Sequence, residues 1–271
     1  MLYNPSPHHS PQKSYLKMLI EDKVIAITGA ARGIGRGIAL HLAAKGAKIA
    51  ILDLEEKAME ETVNELKSAG IKARGYRCNV ADEAMVESVF KQIVEDFSGI
   101  HGLVNNAGIL RDAQLIKVKD GVVIDKMSAD NYSLVVDVHM KGAFLCAREA
   151  ASHMITNKVE EGCIINMSSV ANRGNFGQTN YSAAKAGMFA QSNVWAKELG
   201  RYNIRSMAIA PGNIDTDMLR SMPKAILDKV TDSVALKRLG TVGHIGHTVA
   251  YILENDYLSG DIIRVAGGFT I

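Results

Sequence analysis

Tyr181 and Lys185 stand four residues apart in a segment, 181–199, whose apolar spacing predicts a helix. That interval puts both side chains on one helix face. A phenol with an ordinary pKa of about 10 is a poor acid or base at neutral pH, and a neighbouring ammonium is expected to lower that value by stabilising the phenolate. Such a pair also arises by chance in many helices. It gains weight from Ser168 and Ser169, which follow an apolar strand ending at Met167. A hydroxyl at the C-terminal end of a parallel strand sits where open α/β sheets bind ligands, and it can donate to a carbonyl oxygen.

A second cluster is Thr28-Gly29-Ala30-Ala31-Arg32-Gly33-Ile34-Gly35. Glycines let the backbone turn tightly and approach a pyrophosphate without an intervening Cβ, and the helix that follows offers unpaired N–H groups to the anion. A glycine triplet alone is weak evidence; flanked by a strand and a helix it is strong. Asp53, ending the next strand, can accept from both adenosine-ribose hydroxyls and would repel a 2′-phosphate. Arg32 pulls the other way. Unit charges 4 Å apart interact by roughly 1–4 kcal/mol from solvent-like to surface-like dielectrics. Because the strand end fixes the aspartate while the arginine can swing into solvent, the sequence favours NAD over NADP. Asp53 also suits the N-cap of a helix starting at Leu54, and the two roles are compatible.

The elements that must position these groups alternate. Strands are predicted at 24–27, 48–52, 73–77, 103–105, 163–167, 206–210 and 262–265, with helices at 34–45, 54–69, 83–97, 131–155, 181–199 and 244–254. Such alternation requires crossover connections, hence an α/β fold: a single-domain, doubly wound parallel sheet of the Rossmann type with helices on both faces. One domain over 19–271 is expected. Residues 1–18 carry three prolines and no apolar centre, unlike a signal peptide, and read as a disordered tail, with Met18 a plausible start. The segment 117–126, with Asp120 and Gly121 between apolar residues, reads as an inserted hairpin or loop, either shaping a substrate pocket or a neutral surface excursion.

Composition sets outer limits. The chain has 271 residues and a net charge of +2 with no basic run, which gives no argument for nucleic acid. No stretch approaches the ~18 apolar residues of a membrane span. Cys78, Cys146 and Cys163 are far apart and odd in number, which argues against a disulfide framework or a zinc site and fits a reducing, cytoplasmic setting.

Together Thr28 to Gly35, Asn105-Asn106-Ala107-Gly108, the serine strand, Tyr181-Ser182-Ala183-Ala184-Lys185, and Pro211-Gly212 with Thr216 resemble the short-chain dehydrogenase/reductase family in its compact form. The resemblance implies that Tyr181 is the general acid/base, that Lys185 binds the nicotinamide ribose and tunes the tyrosine, and that a serine orients the carbonyl. It implies cofactor contacts from Asn79, Val80, Asn105, Ala107, Gly108, Ile214 and Thr216. It also implies a homotetramer, in which the last strand packs against a neighbour; an apolar face over 189–199 would fit the same assembly or simple core burial.

Three positions depart from the family pattern. His139 replaces an asparagine that helps hold a relay water, and it is either a relay group or a packed helix residue. Asn79 replaces an acidic residue near the adenine. A spacing of thirteen residues back from Tyr181 selects Ser168, whereas the strand end selects Ser169, the preferred choice. The stretches 105–112 and 174–181 most resemble 3-oxoacyl thioester reductases, on acyl carrier protein or coenzyme A. An acidic balance in 158–162 and the inferred NAD site tilt the reading toward a CoA thioester or other free substrate. Another secondary alcohol (sugar, polyol or steroid-like) is the alternative, and a non-catalytic dinucleotide-binding regulator a more distant one. Met218, Leu219 and Met222 suggest an apolar lid or a helix packed on the core.

Overall fold

The computed structural model describes residues 20–270, so the predicted tail over 1–18 lies outside the described residues. The strands are β1 Val24–Thr28, β2 Lys48–Asp53, β3 Ala73–Arg77, β4 Gly102–Asn105, β5 Ile116–Lys119, β6 Val122–Lys126, β7 Gly162–Met167, β8 Ile204–Pro211 and β9 Ile262–Val265. The helices are α1 Gly33–Ala43, α2 Glu56–Ser68, α3 Glu83–Phe97, α4 Ala129–Val136, α5 Gly142–Thr156, α6 Thr179–Leu199, α7 Asp217–Arg220, α8 Lys224–Ser233 and α9 Val242–Glu254. Seven strands form one sheet in the order β3-β2-β1-β4-β7-β8-β9, with every pairing parallel.

Burial on both faces explains why the central strands read as continuous apolar runs. Ile25 and Ile27 of β1 point into a core shared with Ile38 and Leu42 of α1 and Ile245 and Val249 of α9. Val24 and Ala26 point the other way, toward Val86, Phe90 and Ile93 of α3 and Leu145 of α5. The order reverses between β1 and β4, which opens a crevice beyond their C-terminal ends.

The predicted strands 73–77 and 262–265 and helix 83–97 are found with those bounds. The predicted helix 131–155 is instead two helices joined by a π-helical turn, Asp137–Lys141, that carries His139. Asp53 is not the N-cap of the following helix: α2 starts at Glu56, with Glu55 in the cap position and making no side-chain cap bond. The segment 117–126 is an antiparallel hairpin, β5–β6, turning at Asp120 and Gly121 with φ of 51° and 77°. All its strand residues are exposed. Of the residues read as an apolar lid, Met218 and Leu219 fall on α7, with Leu219 part-buried, and Met222 lies between α7 and α8, exposed.

One buried ion pair ties the sheet to its flank. Arg205 of β8 binds Glu161 through Nε at 3.1 Å and Nη2 at 2.9 Å, and donates to the carbonyls of Ile252, Leu253 and Leu258. Both side chains are almost wholly buried. Removing one partner leaves a charge and several carbonyls uncompensated. Arg205→Met should lower unfolding stability by about 3–5 kcal/mol in urea titrations; a loss below about 1 kcal/mol would mean that the pair contributes little.

Candidate active site

The glycine turn is built to receive an anion. Gly29 and Gly33 adopt φ of 64° and 58°, and a Cβ on Gly35 would lie 2.3 Å from the Gly29 carbonyl oxygen, so side chains are excluded by both conformation and space. Helix α1 has no side-chain cap and no acidic residue in its first turn. Its first N–H donors and positive dipole end therefore suit a pyrophosphate. Ile34 lies in this first turn, partly buried against the α1 face of the core.

Two residues fasten this turn to the next strand. The Thr28 hydroxyl accepts from the Asn106 and Ala107 amides, both at 3.0 Å. The Asn106 side-chain amide donates to the carbonyls of Thr28 and Gly29 at 3.0 and 2.9 Å. Thr28 is thus a buried positioning residue, and Asn106 an equal partner that sequence reading passed over in favour of its neighbour. Asn105 points inward and donates to Asn166 Oδ1 at 2.8 Å and Ala143 O at 3.3 Å. It braces the floor of the crevice.

At the adenosine end, Asp53 is held by three backbone donors: Ala31 N at 2.9 Å, Leu54 N at 2.7 Å and Glu55 N at 3.1 Å. Arg32 reaches Glu55, 3.5 Å away, and both side chains are largely exposed. The Asn79 side-chain Oδ1 accepts from Ala81 N at 3.2 Å, and Val80 is buried against Gly142. Beyond the crevice's other strand, Pro211 closes β8 and Gly212 sits so near Ala266 that a Cβ would meet its Cα at 2.9 Å. Ile214 is buried and bridges Gly240, and Thr216 precedes α7.

The candidate catalytic side chains converge near the ends of β4 and β7. Ser168 is buried, its hydroxyl spent on the Lys185 carbonyl at 2.7 Å. The Ser169 hydroxyl accepts from Ala171 N at 3.1 Å and stands close enough to the Tyr181 phenol to pull it down, so the second serine, not the one picked by loop counting, neighbours the tyrosine. Asn180, fully buried, accepts from Tyr181 N at 2.8 Å and donates to Arg111 O at 2.9 Å. It anchors the start of α6; its only signal in the sequence was an asparagine directly before the tyrosine.

Lys185 lies on the same helix face as expected, but it acts differently. Its Nζ donates to Met167 O at 2.5 Å and stands 5.5 Å from the Tyr181 ring centroid. Burial pushes this amine down to about 7. Burial also raises the Tyr181 phenol above its ordinary value, and the Ser169 hydrogen bond pulls it only partly back. The expected lowering of the phenol by an adjacent ammonium is not found: burial raises it, the Asp112 charge adds to that, and only Ser169 opposes them.

His139 sits beneath the pair. Its ring meets that of Tyr181 edge-to-face with centroids 5.3 Å apart. Nε2 lies 3.0 Å from the Ile109 amide nitrogen and 2.9 Å from the Ile109 carbonyl oxygen. A Cβ at Gly108 would be 2.2 Å from the imidazole Cε1, so the glycine makes room for the ring. Nδ1 is buried and finds no hydrogen-bond partner among the described residues. Burial, reinforced by Lys185, holds this imidazole down to about 3.

The 158–161 segment lies at the start of β7, the end of the sheet opposite the crevice. Its acidity therefore carries no information about a carrier docking at the site, which corrects the sequence-based inference. The loop leading into β5 reaches the start of α6: Ala113 N donates to Gly177 O at 2.9 Å, and Gln178 donates to Asp112 at 2.8 Å.

The family model described as Enoyl-(Acyl carrier protein) reductase matches residues 29–270. The 3-oxoacyl-[acyl-carrier-protein] reductase FabG of Thermotoga maritima is 35% identical over 257 residues, spanning 94% of this chain and 100% of that protein. Human (3R)-3-hydroxyacyl-CoA dehydrogenase is 34% identical over 266 residues, spanning 94% and 98%. Among solved structures, an NAD+-bound xylitol dehydrogenase superposes with a TM-score of 0.83 at 30% identity, covering 92% of this chain and 99% of its own. The chain belongs to the short-chain dehydrogenase/reductase family. It is an oxidoreductase of the CH–OH/C=O type that uses a nicotinamide cofactor. No helix among the described residues is long and apolar enough to cross a membrane.

His139 gives a pH test of this geometry. Unfolded, it takes a proton near 6.5; folded, it stays neutral until about 3. Its contribution to stability is complete above pH 6.5 and is lost as pH falls toward 3. One such group changes unfolding free energy by at most ~1.4 kcal/mol per pH unit. His139→Asn should flatten the pH dependence of denaturant unfolding between 6.5 and 4. Part of the slope should remain, because His101, accepting from Val24 N at 3.2 Å, is also held down, to about 4. An unchanged slope would contradict the buried neutral imidazole.

Proposed function

We propose that the chain moves a hydride between NAD(H) and a 3-oxoacyl/3-hydroxyacyl thioester, with Ser169, Tyr181 and Lys185 as its catalytic residues. The observation that carries the reading is the convergence, just beyond the end of β7, of Ser169 with Tyr181 and the buried Lys185, whose Nζ donates to Met167 O and lies 5.5 Å from the Tyr181 ring centroid. The substrate class is supported by relatives named for the same chemistry on two carriers, a 3-oxoacyl-[acyl-carrier-protein] reductase and a (3R)-3-hydroxyacyl-CoA dehydrogenase.

Gly212, Ile214 and Thr216 would hold the nicotinamide, which would supply or take the hydride. The protein's own part is to hold the oxygen and its proton. Ser169 donates to the substrate oxygen and fixes its position. Tyr181, kept protonated at neutral pH by burial, delivers its proton to that oxygen as the carbonyl is reduced, and the reverse step needs the phenolate. Lys185 binds the nicotinamide ribose and feeds the phenol. His139 stands beside it as a neutral imidazole, which shapes the pocket edge-to-face against the Tyr181 ring and holds the loop at Ile109 through Nε2. Asn79 and Val80 flank the adenine, while Asn105, Ala107 and Gly108 wall the cleft.

NAD is favoured because Asp53, fixed by three N–H donors, cannot turn away from a 2′-phosphate. The three free, buried cysteines support a reducing, cytoplasmic setting. Exposed Phe144, Val194 and Tyr257 support a homotetramer. A second reading, oxidation of another secondary alcohol such as a polyol, is favoured by the likeness to the NAD+-bound xylitol dehydrogenase.

Tyr181→Phe should reduce turnover of acetoacetyl-CoA with NADH by at least ~10³-fold, while NADH binding followed by fluorescence changes little. Full activity in this variant would remove Tyr181 from the chemistry. In the wild-type chain, oxidation of 3-hydroxybutyryl-CoA should accelerate as pH rises into the alkaline range, where the phenolate forms. Oxidation that is fastest below pH 7 would contradict the raised phenol. Xylitol turned over in preference to either thioester would select the second reading.

A further inference from the structure

The glycine turn and the strand end send opposite signals about the cofactor, and a third residue stands between them. Arg32, the residue that would meet a 2′-phosphate, lies 3.5 Å from Glu55. Glu55 is two residues beyond Asp53 and occupies the cap position of α2, where its own amide donates to the Asp53 carboxylate at 3.1 Å. A second arginine flanks the same aspartate: Arg77, paired in register with Asp53 across β2 and β3, binds Glu56 at 2.9 Å. Each of these two cations beside the ribose-binding carboxylate is thus met by a glutamate from the start of α2.

We propose that Glu55 is a specificity-determining residue for the cofactor, engaging the Arg32 guanidinium and so withholding it from a 2′-phosphate. The inference rests on the proposed NAD preference and deepens it: Asp53 supplies the fixed repulsion, and Glu55 removes the compensating attraction. Glu56 does the same for Arg77 at the neighbouring strand. The Arg32–Glu55 pair is exposed, so it is weak in itself and would yield to a phosphate if no other negative charge stood nearby. With Asp53 adjacent, an incoming phosphate dianion meets two carboxylates and must also break a cation's existing pair. Acidic residues at a helix start also favour the helix dipole. That role changes stability and is blind to the 2′-phosphate, which separates the two.

The test is a double-mutant cycle on the full chain, with NADH and NADPH affinities measured by fluorescence titration for wild type, Glu55→Gln, Arg32→Gln and the double variant, and thermal midpoints recorded alongside. Glu55→Gln should tighten NADPH binding roughly three- to tenfold and change NADH binding less than about twofold. The gain should shrink as salt is raised and disappear when Arg32→Gln is present. NADPH affinity unchanged in Glu55→Gln would overturn the proposal while leaving the NAD preference standing. So would a gain of equal size with and without Arg32. A wild-type chain that binds NADPH more tightly than NADH would overturn the underlying preference and the proposal with it.

Discussion

A parallel sheet whose crossovers leave in opposite directions from two adjacent strands must open a crevice beyond the C-terminal ends of that pair. Here the pair is β1 and β4, and the site follows from it. Thr28 and Asn105 close those two strands, Asp53 closes β2, Met167 closes β7 just before the serines, and Pro211 closes β8. Rigid strands therefore set the positions of groups that come from five separate parts of the chain. The turn between β1 and α1 cannot drift from the loop after β4, because Thr28 and Asn106 bond reciprocally across the crevice. A site with fixed walls can bind an extended dinucleotide without first having to order itself.

Chemistry in this crevice depends on ionisable groups being buried. An amine surrounded by protein and pushed down to about 7 is no longer a fixed cation; it can give up or regain a proton near physiological pH. The phenol beside it moves the other way, because burial penalises its anion. Two groups whose pKa values begin close together in water are thus driven apart by the same desolvation, which suits the proposed roles of proton donor and relay. The imidazole beneath them, neutral across the working range, supplies shape and hydrogen bonding without adding charge. The architecture thus favours protonated tyrosine, the form that carbonyl reduction consumes.

Much of this was legible in the residues themselves. Apolar runs and helical spacing located the seven sheet strands and most helices, because burial on both faces of a parallel sheet leaves a strong imprint. The glycine turn and the Tyr181/Lys185 interval were readable because their chemistry demands particular residue types at fixed distances. What escaped depended on three-dimensional position. The π-helical turn at Asp137–Lys141 inserts a wider loop of backbone without changing the apolar spacing around it, so 131–155 read as one helix. The acidic stretch before β7 looked relevant to docking only while its end of the sheet was unknown. Asn106 and Asn180 looked like neighbours of functional residues, yet their side chains hold the turn and the catalytic helix in place. Burial reversed the expected direction for the Tyr181 phenol, because desolvation cannot be judged from a four-residue spacing.

The central claim is that a hydride passes between a nicotinamide and C3 of an acyl thioester in this crevice. The direct measurement is to incubate the protein with acetoacetyl-CoA and NADH carrying deuterium at both C4 positions, then locate the label by mass spectrometry and NMR. The account predicts 3-hydroxybutyryl-CoA bearing one deuterium at C3 and oxidised cofactor in equal amount. Consumption of NADH with no deuterium at C3, or no consumption with this substrate while the cofactor is tightly bound, would contradict it.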